Sequence, residues 1–315
     1  MQIIISVLAI MLPIFLGYFF KLTKIFNRSD INSIRKFVVK VTVPFIIFKN
    51  LYTSNMETLS QLLPLSVSFI VMTIFFSLSA HLASRFLTSK SKEQNAYLFS
   101  VFMGNYGYLG WGVMAYFFGQ AGFTRAVFFS MLFWPVFLIF GFGLEFLSNS
   151  NARRSKKKIL EILLKNASVP IGVSILAILL NVIGFSINKV VWDLIVKFAA
   201  ITIPAILFTI GLDFQLKLDF NHLKLILVGS AHRVVFGFLI GLLTLLISGF
   251  IFKLDPISGQ VILMQSIMPT AVLSTFFATY VNLDEKIQSG IITFSNLLSL
   301  LTIPAAFYLV KTFFS

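Results

Sequence analysis

Ten long apolar segments fill almost the whole of this 315-residue chain and limit what it can fold into. A helix needs roughly 20 apolar residues to cross the ~30 Å hydrocarbon core of a bilayer, because it rises ~1.5 Å per residue. The chain is 58% hydrophobic and 11% charged, too few charges to cover the surface of a soluble protein. We therefore predict an all-α polytopic membrane protein. The predicted spans are residues 2–20, 33–52, 61–86, 94–118, 123–147, 167–185, 190–213, 223–250, 257–280 and 287–311.

The basic residues predict how these spans are oriented. The net charge is +14, and the basic residues concentrate in the loops after spans 1, 3 and 5. By the positive-inside rule these loops are cytoplasmic, which places both termini outside the cytoplasm. The first segment is too long for a signal-peptide core and has no basic residues before it, so we expect a retained helix. We expect the basic run 153–158 to lie at anionic lipid headgroups and not to bind nucleic acid. The loops on the other side have one basic residue each, namely Lys49, Arg125, Lys189 and Lys253.

The polar residues exclude several kinds of chemistry. Cysteine is absent, so disulfides, thiolate catalysis and Cys-based metal centres are excluded. The three histidines are scattered, no phosphate-binding Gly-x-x-x-x-Gly-Lys-[Ser/Thr] motif is present, and all eleven acidic residues lie in loops or near span ends. We therefore expect no catalytic residues, no metal and no cofactor, in a protein that is not an enzyme. Coupling to Na⁺ or H⁺ stays open, since backbone carbonyls at a helix break, with Gln265, are suitable Na⁺ ligands.

Two short motifs recur at half the chain length and predict an internal repeat. Residues 42–48 (TVPFIIF) match 202–208 (TIPAILF) at an offset of 160, and 12–14 (LPI) match 169–171 (VPI) at an offset of 157. Five spans per repeat is an odd number, so the second repeat enters the membrane from the opposite face. We predict a 5+5 inverted repeat, a common plan among secondary transporters. Its predicted parts are 1–147 (first repeat), 148–166 (basic cytoplasmic linker) and 167–315 (second repeat).

Spans 4 and 9 carry the strongest signals for interrupted helices. Residues 104–112 (GNYGYLGWG) hold four glycines and an asparagine, and Pro269 lies within span 9. Open backbone at membrane depth is tolerated where it lines a cavity, and half-helix N-termini favour anions. The alternatives are tight packing for the glycines and a structural kink for Pro269. The sequence leaves the register open, because an offset of 157 pairs Gly112 with Pro269 and one of 160 pairs Asn105 with Gln265.

These breaks define the candidate site. We predict that Asn105 and Gln265 bond the substrate, while the backbone near Gly110 and Pro269 supplies helix-end amides. An arginine within span 8 has two functional interpretations, an anion attractor or a partner for a carbonyl-rich break. The alternatives are a structural hydrogen-bonding role inside the bundle, or a shifted helix whose arginine extends its charged end to the inner membrane surface. The predicted substrate-binding residues are Asn105, Gly110, Gly112, Gln265, Pro269 and Thr270. Residues with a pocket or charge role are Thr42, Pro44, Tyr106, Trp111 and Arg233.

The chain resembles the auxin efflux carrier family, which includes plant auxin carriers and bacterial malate and malonate permeases and is related in fold to bile acid/sodium symporters. The resemblance rests on residues 105–110 (NYGYLG) and 268–271 (MPTA), supported by 42–48 and 210–212 (IGL). It implies ten helices in a scaffold and a transport domain, crossed broken helices, and elevator-type transport of organic anions by a dimer. The family typically has proline where this chain has Gly112, beside Trp111.

We therefore predict a secondary transporter, or permease, that moves a small organic anion, a carboxylate, across the cytoplasmic membrane. Its expected partners are the anion, membrane lipids and a second copy of the chain in a homodimer. The alternative is a membrane receptor or sensor that binds an organic anion without moving it. A membrane enzyme and a passive channel are further alternatives.

Overall fold

The structure, a computed structural model, describes residues 2–54, 62–107, 109–148, 156–213, 220–279 and 281–314. These residues are almost entirely helical, and they contain no strand beyond one isolated bridge. The helices are α1 (Gln2–Leu22), α2 (Arg28–Phe37), α3 (Val43–Tyr52), α4 (Leu63–Leu87), α5 (Ser91–Val101), α6 (Leu109–Phe129), α7 (Phe133–Ser148), α8 (Lys156–Val182), α9 (Lys189–Asp213), α10 (Leu223–Ala231), α11 (Gly237–Ile251), α12 (Pro256–Ser266) and α13 (Glu285–Phe313).

Short irregular helical turns interrupt or extend several of these helices. Single π-helical stretches, Val38–Thr42 and His232–Phe236, join α2 to α3 and α10 to α11, so each pair forms one longer helix. A 3₁₀ stretch, Val272–Thr279, follows the break after α12. π-Helical turns in other proteins often mark functional sites.

Five stretches within the described residues are helical, long and apolar enough to cross a membrane. Two shorter apolar stretches lie within α1 and α8. These helices agree with the predicted all-α membrane class. The five stretches are Leu63–Leu87, Leu109–Gly143, Lys189–Leu212, Leu223–Ile251 and Glu285–Phe313.

Side-chain caps fix the starts of several helices. Asn27 accepts hydrogen bonds from the backbone N–H groups of Ser29 and Asp30 and begins α2. Asp255 and Asp284 do the same at the starts of α12 and α13. A carboxylate or amide oxygen at this position satisfies N–H groups that a helix leaves unpaired. These polar residues therefore set where the apolar helices begin.

All helices except α7 pack in two groups, and α7 contacts α8 of one group and α5 of the other. The first helix group contains α1, α2, α3, α8 and α9. The Thr202 hydroxyl of α9 donates to the Thr42 carbonyl at 2.9 Å, so the two copies of the Thr-x-Pro motif contact each other. The rings of Phe45 and Phe198 stack beside them with centroids 4.9 Å apart. The repeated motif therefore lies at the centre of this group.

The crossing group contains α4, α5, α6, α10, α11, α12 and α13, and it is joined by buried polar contacts. Ser68 of α4 and Ser248 of α11 bond through their hydroxyls at 2.8 Å. The Tyr97 hydroxyl of α5 bonds His232 Nδ1 at 2.9 Å. Hydroxyl pairs of this kind hold transmembrane helices together where apolar contact alone gives little specificity. Among the described residues, hydrogen bonds between side chains of different helices therefore distinguish this group from the first, whose helices are joined by side-chain bonds to backbone carbonyls.

Contact between the two groups is mainly apolar. The first half of α6 faces α9, where Gly112 lies near Ile203 and Leu207. Between described residues, one side-chain hydrogen bond joins the groups, from Gln120 Nε2 to the Thr53 hydroxyl at 2.6 Å. Among the described residues, hydrogen bonds from side chains thus join helices within each group more than they join the two groups.

The structure differs from the sequence expectations in three local features. Helix α8 begins at Lys156, within the segment predicted as a linker, while residues 149–155 lie outside the described residues. Gly119, with φ of 61°, interrupts α6 where the loop between spans 4 and 5 was expected. Arg125 was counted with the charges of that loop, but it lies in the helix after Gly119, within the predicted span 123–147, and is buried. Its ion pair with Asp255 explains why it turns inward.

Candidate functional site

Two helix interruptions meet in the interior of the crossing group. Helix α5 ends at Val101 and α12 ends at Ser266, and the extended segments that follow cross as an antiparallel bridge. The Asn105 N–H donates to the Pro269 carbonyl at 2.8 Å, and the Ala271 N–H donates to the Met103 carbonyl at 3.0 Å. These reciprocal bonds replace helical bonds that the breaks remove.

The crossing has a local two-fold relation that fixes its register. Gly104 pairs with Thr270, and the two reciprocal bonds relate Met103 to Pro269 and Asn105 to Ala271, an offset of 166 residues. This offset differs from 157 and 160, the two that the sequence motifs suggested. The symmetry stops beyond the crossing, because the first break leads into the regular helix α6 and the second into a 3₁₀ stretch. The motif matches therefore do not give the pairing at the crossing.

Asn105 caps the half-helix that follows the first break. Its side-chain Oδ1 accepts from the Leu109 N–H at 3.3 Å, and its backbone carbonyl accepts from the Gly110 N–H at 2.9 Å. The helix-end amides nearest the break are thus bonded to Asn105 itself. No acceptor among the described residues bonds the Nδ2 of Asn105.

Gln265 lies directly over the same half-helix. Its Nε2 donates to the Tyr106 carbonyl at 3.3 Å, which directs Oε1 towards Gly110. The Gln265 side chain is fully buried, and Oε1 has no hydrogen-bond partner among the described residues. A Cβ at Gly110 would overlap Oε1 and lie 2.9 Å from Cδ, so glycine is needed for this approach. The structure thus brings Asn105, Gly110 and Gln265 together.

Arg233 also lies at the crossing and binds the ends of the two half-helices that lead into it. Its Nε donates to the Met268 carbonyl at 2.8 Å, and Nη1 donates to the Val101 carbonyl at 3.3 Å. Its Nη2 donates to the Tyr106 hydroxyl at 3.0 Å and to the Ser266 carbonyl at 3.4 Å. Of the roles considered from sequence, this geometry fits two, a partner for a carbonyl-rich break and a structural hydrogen-bonding role inside the bundle.

Tyr106 and Gly104 shape the space around Arg233. The Tyr106 ring is buried and packs edge-to-face on Phe69 and Phe129, with centroids 5.4 and 5.7 Å away. A Cβ at Gly104 would overlap Arg233 Nη2 and lie 2.7 Å from the Tyr106 ring. The first glycine of the motif therefore makes room for the arginine.

Thr270 is fully buried and fully bonded. Its hydroxyl donates to the Ser100 carbonyl at 3.0 Å, its N–H donates to Ser295 Oγ at 3.1 Å, and its carbonyl accepts from Asn296 Nδ2 at 3.3 Å. These bonds connect the second break to α5 and α13. In this conformation Thr270 holds the crossing together, as Pro269 does through its carbonyl.

The other predicted residues lie away from the crossing. Thr42 is buried in the first helix group, where its hydroxyl donates to the Val38 carbonyl, and Pro44 begins α3. Gly112 faces α9. The indole N–H of Trp111 donates to Ser130 Oγ at 2.9 Å and is turned towards the second half of α6. The structure does not bring these four residues together with Asn105 and Gln265.

Sequence reasoning missed several polar partners of the crossing. Asn296 and Ser295 on α13 both bond Thr270, and Ser100 accepts from its hydroxyl. An amide side chain inside an apolar span was the signal that singled out Asn105, and the same signal was present at Asn296.

Ionised clusters lie where α12 and α5 begin. Arg125 Nη2 lies 3.1 Å from Asp255 Oδ1. Burial by itself raises the pKa of Asp255, but hydrogen bonds from Ser258 and Arg125 outweigh it and hold the pKa below its ordinary value. At the start of α5, the Thr88 hydroxyl donates to Glu93 at 2.6 Å, and the Lys90 ammonium lies 3.0 Å from the same carboxylate. Both contacts hold the pKa of Glu93 below its ordinary value.

Comparison with known proteins identifies the family. A family model described as a membrane transport protein matches residues 2–307. The chain belongs to this family. The match confirms the resemblance to the auxin efflux carrier family, which is a family of membrane transporters and not of enzymes. This agrees with the prediction that the chain is not an enzyme.

Two archaeal transporters are similar to the chain over nearly their whole length. An uncharacterized transporter of Methanothermobacter thermautotrophicus is 24% identical over 306 residues, covering 95% of each chain. An uncharacterized transporter of Methanocaldococcus jannaschii is 26% identical over 308 residues, covering 94% of this chain and 95% of the relative. The similarity therefore includes both interrupted helices.

Proposed function

We propose that this membrane transport protein is a secondary transporter that moves a small organic anion, a carboxylate, across the cytoplasmic membrane. The observation that carries the proposal is the buried crossing of two interrupted helices, where amide groups of Asn105 and Gln265 lie beside the N-terminal end of α6. Transporters commonly place their substrate at such breaks. Further parts of the proposal are ten spans in a 5+5 inverted repeat, both termini outside the cytoplasm, and a homodimer.

The chemistry of the crossing suits a carboxylate. The Nδ2 of Asn105 is a donor for a carboxylate oxygen, and the N-terminal end of α6 contributes partial positive charge. The Oε1 of Gln265 is an acceptor for a hydroxyl or N–H elsewhere on the substrate, or a ligand for a coupled cation. Ligand entry requires local opening, because Gln265 is fully buried in this conformation.

The division into two groups supports an elevator-type motion. The crossing group is joined by buried polar contacts, whereas its contact with the first helix group is mainly apolar. Between described residues, a single side-chain hydrogen bond, from Gln120 to Thr53, would have to break when the groups slide. A net hydrogen bond contributes only about 1 kcal/mol, so this tie is a small barrier to such motion.

Uptake or counterflow of labelled dicarboxylates into proteoliposomes tests the substrate class. Asn105→Ala and Pro269→Ala should each abolish most of the flux. Asn50→Ala is the matched control, because Asn50 is a buried amide that bonds the Ile46 carbonyl in the first helix group. Unchanged flux in both crossing variants would remove the proposed site. Binding without flux in the wild type would favour the receptor alternative, and flux with and without Na⁺ or pH gradients decides the coupling.

Cross-linking tests the motion. Because the chain has no native cysteine, the reagent reacts only with the introduced cysteines. Thr53→Cys with Gln120→Cys joins the two groups at exposed positions, and a short bis-methanethiosulfonate cross-linker, which forms a disulfide with each cysteine and releases sulfinate, should stop transport until reduction cleaves the link. Ser54→Cys with Asn181→Cys joins α8 to the end of α3 within the first helix group and should leave transport running. Transport that continues at full rate through the cross-linked Thr53–Gln120 pair would exclude sliding.

A further inference from the structure

Arg233 is a buried cation that has no acidic partner among the described residues. It is fully buried, and no carboxylate among the described residues lies within ion-pair distance of it. Arg125 is also buried, but its charge is balanced by Asp255 at 3.1 Å. An isolated buried charge is strongly unfavourable unless something compensates it.

Backbone dipoles balance part of this charge. Val101 and Ser266 are the last residues of α5 and α12, and their carbonyls accept from Nη1 and Nη2. A helix C-terminus has a partial negative charge of roughly half an elementary charge, so these ends hold the guanidinium in place. The two ends together offset the guanidinium charge at close range, but each is one pole of a helix dipole that has no net charge. The crossing therefore keeps the formal charge of +1 that Arg233 contributes.

Arg233 is not open to direct contact with a ligand. Its Nε, Nη1 and Nη2 all donate to protein groups, and the Phe76 ring covers its guanidinium carbon at 3.8 Å. The guanidinium nevertheless lies against Gly104, the neighbour of Asn105, and bonds the hydroxyl of Tyr106, whose carbonyl accepts from Gln265. Its field thus reaches the candidate substrate site through one layer of residues.

We propose that Arg233 sets the charge selectivity of the crossing without touching the substrate. Its positive charge, which no carboxylate among the described residues pairs, makes the site bind a carboxylate in preference to the neutral amide of the same shape. This proposal rests on the proposed function, because it assumes that the anion binds at the crossing. A unit charge acting across roughly 10 Å at an effective dielectric constant of about 20 changes affinity by on the order of tenfold.

Binding of matched ligand pairs to the purified protein tests this role. The probes are malonate, succinate and benzoate, each beside its own amide, with dissociation constants measured by calorimetry. Arg233→Gln should lower the anion-over-amide ratio about tenfold, while Arg233→Lys should keep it. Arg125→Gln is the matched control, since the charge of Arg125 is already paired. A purely structural loss would weaken the acid and the amide alike and leave their ratio unchanged.

The outcomes separate the two proposals. A wild type that binds none of the carboxylates overturns the proposed function and this inference with it. A wild type that prefers carboxylates, together with Arg233→Gln at the same ratio, overturns only the role of Arg233. If Arg233→Gln does not fold, Phe76→Glu beside the guanidinium should lower the ratio by neutralising the charge, while Phe76→Gln should not. Equal ratios in those two variants would overturn the role of Arg233.

Discussion

The contact between α1 and α9 and the helix crossing both depend on glycine, but they use it differently. A Cβ at Gly17 would overlap the backbone carbonyl of Phe208, and one at Gly211 would overlap that of Ile14. At the crossing, a Cβ at Gly104 or Gly110 would instead overlap the ends of the Arg233 and Gln265 side chains. Glycine in the first helix group lets two backbones approach, whereas at the crossing it makes room for polar groups.

This difference predicts which substitutions destroy the fold and which change only the site. Backbone cannot move out of the way of a new methyl group without separating two helices. The end of a flexible side chain can move, at the expense of its own hydrogen bonds.

The largest effect is expected from Gly211→Val in the first helix group. The new side chain would meet the Ile14 carbonyl and the Tyr18 amide, so α1 and α9 must separate. We expect a loss of stability of at least about 3 kcal/mol, the upper end of ordinary overpacking, and little folded protein in detergent. Gly249→Val is the control, because nothing lies within 4 Å of a Cβ at Gly249. A wild-type melting temperature for Gly211→Val would contradict the claim that the contact between α1 and α9 requires glycine.

Gly110→Ala should give the second effect, on binding more than on stability. The methyl group displaces the Gln265 amide, which can rotate, so we expect a loss of stability of about 1 kcal/mol through its bond to Tyr106. Carboxylate flux into proteoliposomes should fall at least about tenfold, since roughly 1.4 kcal/mol of lost binding suffices for that. Full flux in a correctly folded Gly110→Ala protein would show that Gln265 is not part of the site.

A pair of isosteric changes compares hydrogen bonds in the two regions. Thr202→Val removes the bond to the Thr42 carbonyl, and Thr270→Val removes the bond to the Ser100 carbonyl. Each should reduce the free energy of unfolding by about 1 kcal/mol. Only Thr270→Val should also reduce flux, because it loosens the second break. Equal flux in the two variants would argue that the crossing tolerates this change.

Acid should produce the smallest effect, and at the crossing group only. The pKa of Asp255 is lower in the folded protein than its ordinary value of 3.8, so its stabilising contribution is present above that value. The contribution is lost as the pH falls through the lowered pKa, and for this part-exposed pair it should be under about 1 kcal/mol. Asp255→Asn keeps a helix-capping side chain and should flatten the loss of melting temperature below pH 4.

Glu93 should also contribute to the loss of melting temperature in acid. Its pKa is also lowered, so some loss of stability in acid should remain in Asp255→Asn and disappear in the double variant with Glu93→Gln. An acid profile of Asp255→Asn identical to that of the wild type would show that the Arg125–Asp255 pair does not stabilise the fold.

Local chemistry made much of this architecture predictable. The apolar runs gave the all-α membrane class, and Pro269 and the glycines around Asn105 marked the places where the helices are interrupted. Proline removes an N–H and glycine weakens a helix wherever they occur, so these effects can be inferred from short stretches of chain. The motifs on which the family resemblance rested include Pro269 and the glycines near Asn105, and the family match confirmed that resemblance.

Contacts between distant segments were not predictable in the same way. The two Thr-x-Pro motifs do lie together, but the offset of 166 at the crossing differs from both motif offsets. Trp111 lies one residue from Gly110, yet its indole bonds Ser130, away from Gln265. Direction on a helix changes by about 100° per residue, so neighbours in sequence need not share a site.

The sequence by itself determined that this protein is helical, lies in a membrane and loses helical bonding in two places, because composition and residue type act locally. Only the tertiary structure decided which carbonyls Arg233 binds, how Asn105 caps α6 and which glycines face backbone or side chain. Those outcomes depend on the relative position of segments more than a hundred residues apart, which is set by packing of the whole chain.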